Sequence, residues 1–306
     1  MRPRPGHRAT CGDRSTPNGG RAGLERPAAQ LAPVTSEAYP AWSEPFRTEQ
    51  RDGLARKGPF RDDAESADWL SASGEGVTVV IIDSGVDGDH PAVGGRLVRS
   101  LRVEISEGDG EVVEDEGGDD VVGHGTACAG IIHGLAPDAE LISIRVLDPN
   151  NKGKGLAFAH AIDWAVEHKI PVANMSLSSR SEQLYATFHD LVDQAYFADC
   201  LLVCSASNYL GDASYPSVFS SVVSVAAHDI PDPLTFFYNP RPPVEFGAWG
   251  VDVPVAWLGG SNIIATGNSF AAPHIAGLLA RLRSAYPDAT PFEAKTLLAR
   301  AANRGR

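Results

Sequence analysis

The chain has little cysteine and no long apolar run. Its four cysteines among 306 residues are too few for a disulfide scaffold. Cys200 and Cys204 flank an expected strand, where four steps of rise hold them roughly 13 Å apart, beyond disulfide reach. No apolar run is long enough to cross a bilayer, and no apolar segment typical of a signal peptide follows the basic N-terminus. We therefore expect no membrane association and a cytoplasmic location.

Positive charge is also scarce, because 26 Lys and Arg stand against 39 Asp and Glu and give a net charge of -13. This balance argues against a nucleic-acid partner, since phosphate contacts are made mainly by basic side chains. The hydrophobic content of 43% is enough to fill a sizeable core. Residues 1–62 are rich in Pro, Gly and Arg and have no periodicity, so we expect a disordered leader before a folded domain at 63–306.

Strand and helix patterns alternate through the folded part of the chain. The β-branched run at 76–82 predicts a buried parallel strand that ends at Asp83. Further strands are expected at 141–147, 172–175, 201–204 and 222–226, and helices at 123–132, 155–167, 183–197 and 293–302. This β-α-β order predicts a mostly parallel sheet with helices on both faces, and sites form at the C-terminal ends of such strands.

The polar segment 104–120 is dense in Glu, Asp and Gly. It predicts a loop or an exposed hairpin. Its acidic run, 111–120, is most simply a solvated loop. The alternative is that the run lies near a substrate cleft and favours basic peptides.

The stretch 267–277, GNSFAAPHIAG, contains a candidate nucleophile, Ser269. Apolar residues recur at helical spacing from Ile275 onward, and Pro273 is expected in the first helical turn, where its missing N–H costs nothing. Ser269 would then lie at or beside the helix N-terminus, where free N–H groups can stabilise an oxyanion. Because Gly-x-Ser before an apolar helix is also an ordinary N-cap, the stretch alone leaves both interpretations open.

Asp83 and His124 are candidates for the two groups that activate a serine. The hydroxyl becomes a nucleophile when an imidazole takes its proton, and a carboxylate then fixes and stabilises that imidazole. Asn208, in the turn after a strand, offers an amide N–H₂ that could stabilise an oxyanion. Alone, Asp83 could be a turn residue and His124 a helix cap. Together with Ser269, they predict a catalytic triad.

The short motifs occur in one order along the chain: DSG at 83–85, HGT at 124–126, GLAP at 134–137, NMSL at 174–177, SASN at 205–208 and GNSFAAPHIAG at 267–277. In this order they resemble the subtilisin-like (subtilase) serine peptidases, over roughly 69–300. The resemblance implies a three-layer α/β/α fold with a mostly parallel sheet. It also implies a serine endopeptidase that acts on peptides or proteins.

The resemblance assigns roles to the candidate residues. It implies that Asp83, His124 and Ser269 form the triad and that Asn208 is the oxyanion donor. The pocket for the residue before the scissile bond is implied to be walled by six residues: Ser176, Leu177, Ser178, Ser205, Ala206 and Ser207. We expect Asn268, which replaces the family's usual Thr, to be tolerated because its amide can still donate a hydrogen bond.

Two departures from the family's pattern bear on the pocket and on metal binding. Ser178 and Ser207 stand where the family usually has Gly and, with Tyr209, should narrow the pocket, which predicts a small or polar preferred residue or weak activity. Ala92 stands where a calcium-ligating carboxylate is expected, so we expect no metal, and no other cofactor. The competing hypothesis is a degenerate subtilase with a closed pocket, acting as a peptide-binding or maturation-scaffold module.

Overall fold

The computed structural model describes residues 68–106, 108–209, 214–241 and 243–302. The expected leader at 1–62 and the domain boundary after it lie outside these ranges. The strands are β1 (Thr78–Asp83), β2 (Leu97–Ser106), β3 (Asp109–Glu114), β4 (Glu140–Arg145), β5 (Val172–Met175), β6 (Leu201–Ser205), β7 (Val223–His228), β8 (Phe236–Tyr238), β9 (Phe246–Trp249), β10 (Val253–Trp257) and β11 (Ser261–Ala265). The helices are α1 (His124–Leu135), α2 (Gly155–Glu167), α3 (Tyr185–Phe197), α4 (Asn268–Ala285) and α5 (Pro291–Ala301).

Nine of these strands form one sheet, in the order β3-β2-β4-β1-β5-β6-β7-β9-β8. Neighbouring strands run parallel except at the two edges, where β3 pairs antiparallel with β2 and β8 with β9. Strands β10 and β11 form a separate antiparallel pair. The mostly parallel sheet brings the carboxyl ends of β1, β5 and β6 to the same edge, as neighbouring parallel strands must.

The apolar side chains of β1 divide between two cores, one on each face of the sheet. Val79 and Ile81 belong to a core that includes side chains of α1, α4 and α5, whereas Val80 and Ile82 belong to one that includes α2 and α3. A strand buried on both faces needs an unbroken apolar run, which is why this segment shows no alternation. The expected three-layer α/β/α fold is confirmed. No helix in the described ranges has both the length and the apolar character that crossing a membrane requires.

Helix α4 begins five residues earlier than Pro273 predicts. It starts at Asn268, so Pro273 lies inside the helix and not in its first turn, and that prediction was wrong. A proline inside a helix removes the hydrogen bond to the carbonyl four residues before it, here that of Ser269. The Cys128 thiol lies 3.8 Å from this carbonyl oxygen and donates to it weakly. Ser269, the second residue of α4, still lies at the helix N-terminus, as expected.

The polar segment 104–120 forms a hairpin over most of its length. β2 and β3 pair from Leu101 with Glu114 to Ser106 with Asp109, so the hairpin alternative is the one observed. The expectation of a solvated run fails at its last residue, because Asp120 is only 7% exposed. Its carboxylate is surrounded by hydrogen-bond donors, which compensate for the loss of water.

Candidate active site

Asp83 and His124 form a hydrogen-bonded pair at the carboxyl end of β1. Asp83 is the last residue of β1 and His124 the first of α1. His124 Nδ1 lies 2.8 Å from Asp83 Oδ1 and 2.9 Å from Oδ2, and the backbone N–H of Ser84 also donates to Oδ1 at 2.8 Å. The Asp83 side chain is 1% exposed and that of His124 13%. An imidazole held in this way at Nδ1 keeps Nε2 as the nitrogen that can accept a proton.

The pKa of His124 reflects two opposed effects. Burial by itself lowers the pKa of the imidazole, because it penalises the charged form. The negative charge of Asp83 and its hydrogen bond favour that charged form, so the pKa lies well above its usual value of 6.5. The imidazole is therefore a stronger base than a free histidine. This property suits a group that must take a proton from a hydroxyl.

Asp120 holds the start of α1 in place. Its carboxylate accepts hydrogen bonds from the backbone N–H groups of Val122 (2.9 Å), Gly123 (2.7 Å) and Thr126 (2.8 Å). It also accepts from the hydroxyls of Thr126 and Ser84, both at 2.7 Å. A carboxylate at a helix N-terminus satisfies free N–H groups and interacts favourably with the helix dipole. The sequence analysis missed this residue, although a carboxylate four positions before His124 was a usable signal.

Gly123 provides the sharp turn into α1. Its φ of 105° lies in the left-handed region, where a side chain would be strained. A Cβ at this position would also lie 2.8 Å from the ring of Trp257. Only glycine fits here, and the turn it makes presents His124 at the first position of the helix.

Ser269 is partly exposed at the start of α4. The ring of the next residue, Phe270, packs against that of His124 with centroids 5.1 Å apart. His124 and Ser269 line the same cavity, yet in the described part of the chain their side chains form no hydrogen bond to each other. Hydrogen bonds of this kind are often long in enzymes without substrate and tighten when it binds.

The amide of Asn208 is oriented by the backbone of α4. Its Oδ1 accepts a hydrogen bond from the N–H of Asn268 at 2.9 Å, which leaves Nδ2 to donate elsewhere. A Cβ built on Gly267 would lie 3.3 Å from Ser269 Oγ and 3.7 Å from Asn208 Nδ2. The hydroxyl and the amide nitrogen therefore both lie within 4 Å of one point beside Gly267, and the N–H of Ser269 belongs to the first turn of the helix that follows.

Asn268 makes the hydrogen bonds that were expected of its amide. Its Nδ2 donates to the carbonyl of Ser207 at 2.9 Å, and its Oδ1 accepts from the N–H of Ala227 at 2.9 Å. This residue therefore ties the start of α4 both to the segment after β6 and to β7. The replacement of Thr by Asn at this position is accommodated.

A single open cavity of about 610 Å³ contains most of the expected site. All six expected pocket residues line it, together with His124, Asn208 and Ser269. Ser178, Ser207 and Tyr209 also lie on its wall, and Tyr209 is 69% exposed. The cavity that these three side chains line is open.

Cys128 lies behind the pair, one helical turn after His124. Its sulfur is 3.8 Å from Asp83 Oδ2 and 3.9 Å from His124 Nδ1. Together these residues offer three potential metal-ligand atoms within 4.8 Å of one another. Burial raises the pKa of the Cys128 thiol, which disfavours the thiolate that a metal requires. The hydrogen bond between Asp83 and His124 already explains the arrangement without an ion.

Comparison with known proteins identifies the family of the chain. The model of the subtilase family, Peptidase_S8, matches residues 74–306 of the chain. The chain belongs to the subtilase family. An intracellular serine protease of Paenibacillus polymyxa is 31% identical over 70% of this chain and 69% of its own length. A thermostable alkaline protease of Halalkalibacterium halodurans is 34% identical over 71% of this chain, which spans only 59% of that protein.

A further relative and a solved structure agree with this assignment. The minor extracellular protease Epr of Bacillus subtilis is 30% identical over 71% of this chain, which spans 34% of Epr. The crystal structure of a cold adapted subtilisin-like serine proteinase has a TM-score of 0.61 and 26% identity, over 75% of this chain and 83% of the other. The family and these names support a serine-type endopeptidase, and membership of a protease family implies peptide or protein substrates.

Proposed function

We propose that this subtilase hydrolyses peptide bonds through Ser269, His124 and Asp83, within a catalytic domain at 63–306. The observation that carries the proposal is the Asp83–His124 pair at one end of a cavity that Ser269 and Asn208 also line. The carboxylate and imidazole come from β1 and α1, and the proposed nucleophile comes from α4 and lines the same cavity as the imidazole. Asp83 and His124 supply the carboxylate and the imidazole that nucleophilic serine catalysis requires. Several serines line the cavity, and Ser269 is the one that lies at the start of a helix.

In the proposed mechanism, Ser269 Oγ attacks the substrate carbonyl while His124 Nε2 takes the hydroxyl proton. Asp83 holds Nδ1 and stabilises the imidazolium that forms. His124 then gives the proton to the leaving amine, which departs and leaves an acyl group on Ser269. Water attacks this acyl-enzyme, again with His124 as base, and the acid is released.

The negative charge that develops on the carbonyl oxygen needs donors already in place. We propose that Asn208 Nδ2, which lies near the hydroxyl, and the backbone N–H of Ser269 are these donors. We assign them as the oxyanion site. Removal of one such side-chain donor lowers kcat by about 10²–10³ in a subtilisin, and Asn208→Ala is expected to have an effect of that size.

A serine-directed fluorophosphonate tests the proposal. The folded protein should be labelled on Ser269, and Ser269→Ala should not be labelled. Ser178→Ala is the matched control, because Ser178 lines the same cavity but has no assigned role in bond cleavage. A folded protein that never reacts would favour the peptide-binding module instead, whereas labelling that survives in Ser269→Ala would assign the nucleophile elsewhere.

The cellular location is a separate proposal. We infer a cytoplasmic protein, supported by the name of the intracellular relative and by three free cysteines, Cys128, Cys200 and Cys204, in the described ranges. The extracellular relative, Epr, points the other way. Fractionation of cells that express the full chain, followed by detection of the protein in each fraction, distinguishes the two.

A further inference from the structure

The side chain of Asn268 uses both of its N–H donors and its carbonyl oxygen to join the start of α4 to two neighbouring segments. Its Nδ2 donates to the backbone carbonyls of Ala206, at 3.3 Å, and Ser207, at 2.9 Å. Its Oδ1 accepts from the N–H of Ala227, in β7, at 2.9 Å. An amide nitrogen carries two protons, and both are used here. Asn268 therefore has no side-chain donor left for a substrate oxyanion.

The side chain of Asn208 makes a hydrogen bond in the opposite direction, from the segment after β6 to the start of α4. The residue before α4 is Gly267, which makes no side-chain cap for the helix. Asn208 Oδ1 takes this place, because it accepts the N–H of Asn268 at 2.9 Å, and a first-turn N–H has no partner within its own helix. Each asparagine side chain thus binds the backbone of the other asparagine's segment.

This reciprocal arrangement fixes the direction of the Asn208 amide. Its oxygen faces an N–H donor, so its Nδ2 faces the other way. Nδ2 and Ser269 Oγ both lie within 4 Å of one point beside Gly267. Asn208 is exposed, and within the described ranges no second hydrogen bond holds its side chain. Its position relative to α4 therefore depends on how the backbone before it is held.

The backbone hydrogen bonds to β7 end before they reach Asn208. The N–H of Ala206 donates to the carbonyl of Val225 at 2.8 Å, and no further backbone bond to β7 follows in the described part of this segment. The next carbonyl, that of Ser207, accepts from Asn268 Nδ2. An oxyanion donor is most effective when it is already in place, so a contact that holds its segment bears on the rate of the chemical step.

We propose that Asn268 is a positioning residue that acts through Asn208. It holds the segment that carries Asn208 against the start of α4, and so keeps Asn208 Nδ2 at a fixed separation from the N–H of Ser269. The inference rests on the proposed function, in which these two groups stabilise the oxyanion. It gives the asparagine that stands where the family usually has Thr a role of its own in this chain.

Replacement of Asn268 should lower kcat and leave KM within about twofold of the wild type. Asn268→Ala removes three hydrogen bonds, and we expect kcat to fall about tenfold, which is less than the effect of removing the Asn208 donor itself. Asn268→Thr keeps one hydroxyl donor, so its loss should be only about threefold. Asn239→Ala is the matched control. Asn239 also donates to two backbone carbonyls and accepts one N–H, but it does not line the cavity, so kcat should not change.

A double-mutant cycle separates positioning from general destabilisation. In an Asn208→Ala background, Asn268→Ala should change kcat by less than about twofold, because the group that it positions is already gone. A full tenfold effect in that background would overturn the inference, and so would equal kcat values for the wild type and Asn268→Ala. Either result leaves the peptidase intact.

Failure of the proposed function would appear separately, as a wild type that cleaves no peptide and is not labelled by the fluorophosphonate. The inference is then tested on the backbone N–H of residue 268, whose hydrogen bond to Asn208 Oδ1 should slow its exchange with solvent. Exchange is measured by NMR on the folded proteins and corrected for the intrinsic rate of each side chain. Faster exchange in Asn268→Ala than in Asn239→Ala supports the inference, and equal rates overturn it.

Discussion

At the scale of single residues, the proposed catalysis depends on His124 as the general base. Asp83 raises the pKa of the imidazole, which makes it a better proton acceptor once it is neutral. The same interaction keeps the imidazole protonated, and therefore inactive as a base, up to a higher pH. As pH falls, the protonated fraction of His124 is therefore expected to rise and the activity to fall.

The pH profile follows from this. In the wild type, kcat/KM should fall on the acid side with an apparent pKa above 6.5, because the base must be neutral. Asp83→Asn should lower kcat by about 10⁴, because an amide no longer fixes the required tautomer. The residual activity should show its acid limb at lower pH. An unchanged limb in Asp83→Asn would mean that Asp83 does not set the pKa of His124.

The pH dependence of the free energy of unfolding should independently show the raised pKa of His124. Because the pKa of His124 is higher in the folded protein than in the unfolded chain, protonation of this residue stabilises the fold. The contribution is fully present below the unfolded-state pKa of 6.5, and it disappears as pH rises through the folded-state pKa. The contribution should be absent in His124→Ala. Thermal unfolding of both proteins across this range measures it, and a difference between them that does not vary with pH would contradict the shift.

At the scale of elements, the start of α1 depends on Asp120. Five hydrogen bonds converge on its carboxylate from the segment before α1, the first turn of the helix and the loop after β1. This places the elements that carry Asp83 and His124 in a fixed relation. We therefore regard Asp120 as a positioning residue that acts through His124.

Asp120→Asn should destabilise the fold and slow catalysis. An amide N–H₂ would face donors that need an acceptor, at a cost of about 3 kcal/mol in the free energy of unfolding. We expect kcat to fall more than KM rises, because the base is displaced and the cavity wall is not. Asp119→Asn is the control, since Asp119 is the exposed neighbour. Equal effects of the two substitutions, measured by denaturant unfolding and kinetics, would refute the role.

Two glycines of α1 should respond oppositely to alanine. A Cβ on Gly125 would overlap the carbonyl oxygen of Gly85, so Gly125→Ala should cost about 2 kcal/mol or more and disturb the adjacent His124. A Cβ on Gly134 would meet nothing within 4 Å, so Gly134→Ala should stabilise the helix by about 0.5 kcal/mol. Denaturant unfolding measures both. Similar values for the two variants would contradict the close approach of α1 to the loop after β1.

At the scale of the whole molecule, the sequence predicted the parallel sheet well because its strands are buried on both faces. The continuous apolar run that contains Ile81 and Ile82 is typical of a parallel strand that is buried on both faces, and these two side chains belong to different cores. Helix α2 and strand β5 begin and end at the predicted residues, since their apolar patterns are long or uninterrupted. The fold and its family could therefore be predicted from local pattern and motif order.

The features that the sequence did not predict depend on distant partners. Asp120 looks like a surface residue until Ser84 and Thr126 are brought to it by folding. Pro273 was placed in a first turn because local rules favour it there, whereas packing extends α4 past it. Strands β8 to β11 are only three to five residues long, so the hydrophobic pattern of their sequences did not predict them.

Metal dependence is a property of the whole domain. We predict that a chelator barely shifts the melting temperature, because Ala92 stands where the resemblance to the family implies a calcium-ligating carboxylate, and α1 ends at Leu135, five residues before the next strand begins at Glu140. Melting curves with chelator and with added Ca²⁺ measure this. A drop of several degrees in chelator that Ca²⁺ reverses would reveal a structural calcium ion and contradict the prediction.

The most direct test of the central claim is a crystal structure of the protein after reaction with the fluorophosphonate. The account predicts phosphorus bonded to Ser269 Oγ, with one phosphoryl oxygen about 3 Å from both Asn208 Nδ2 and the Ser269 N–H, and His124 Nε2 facing the adduct. An adduct on any other residue, or on Ser269 with its oxygen turned away from Asn208, would contradict it.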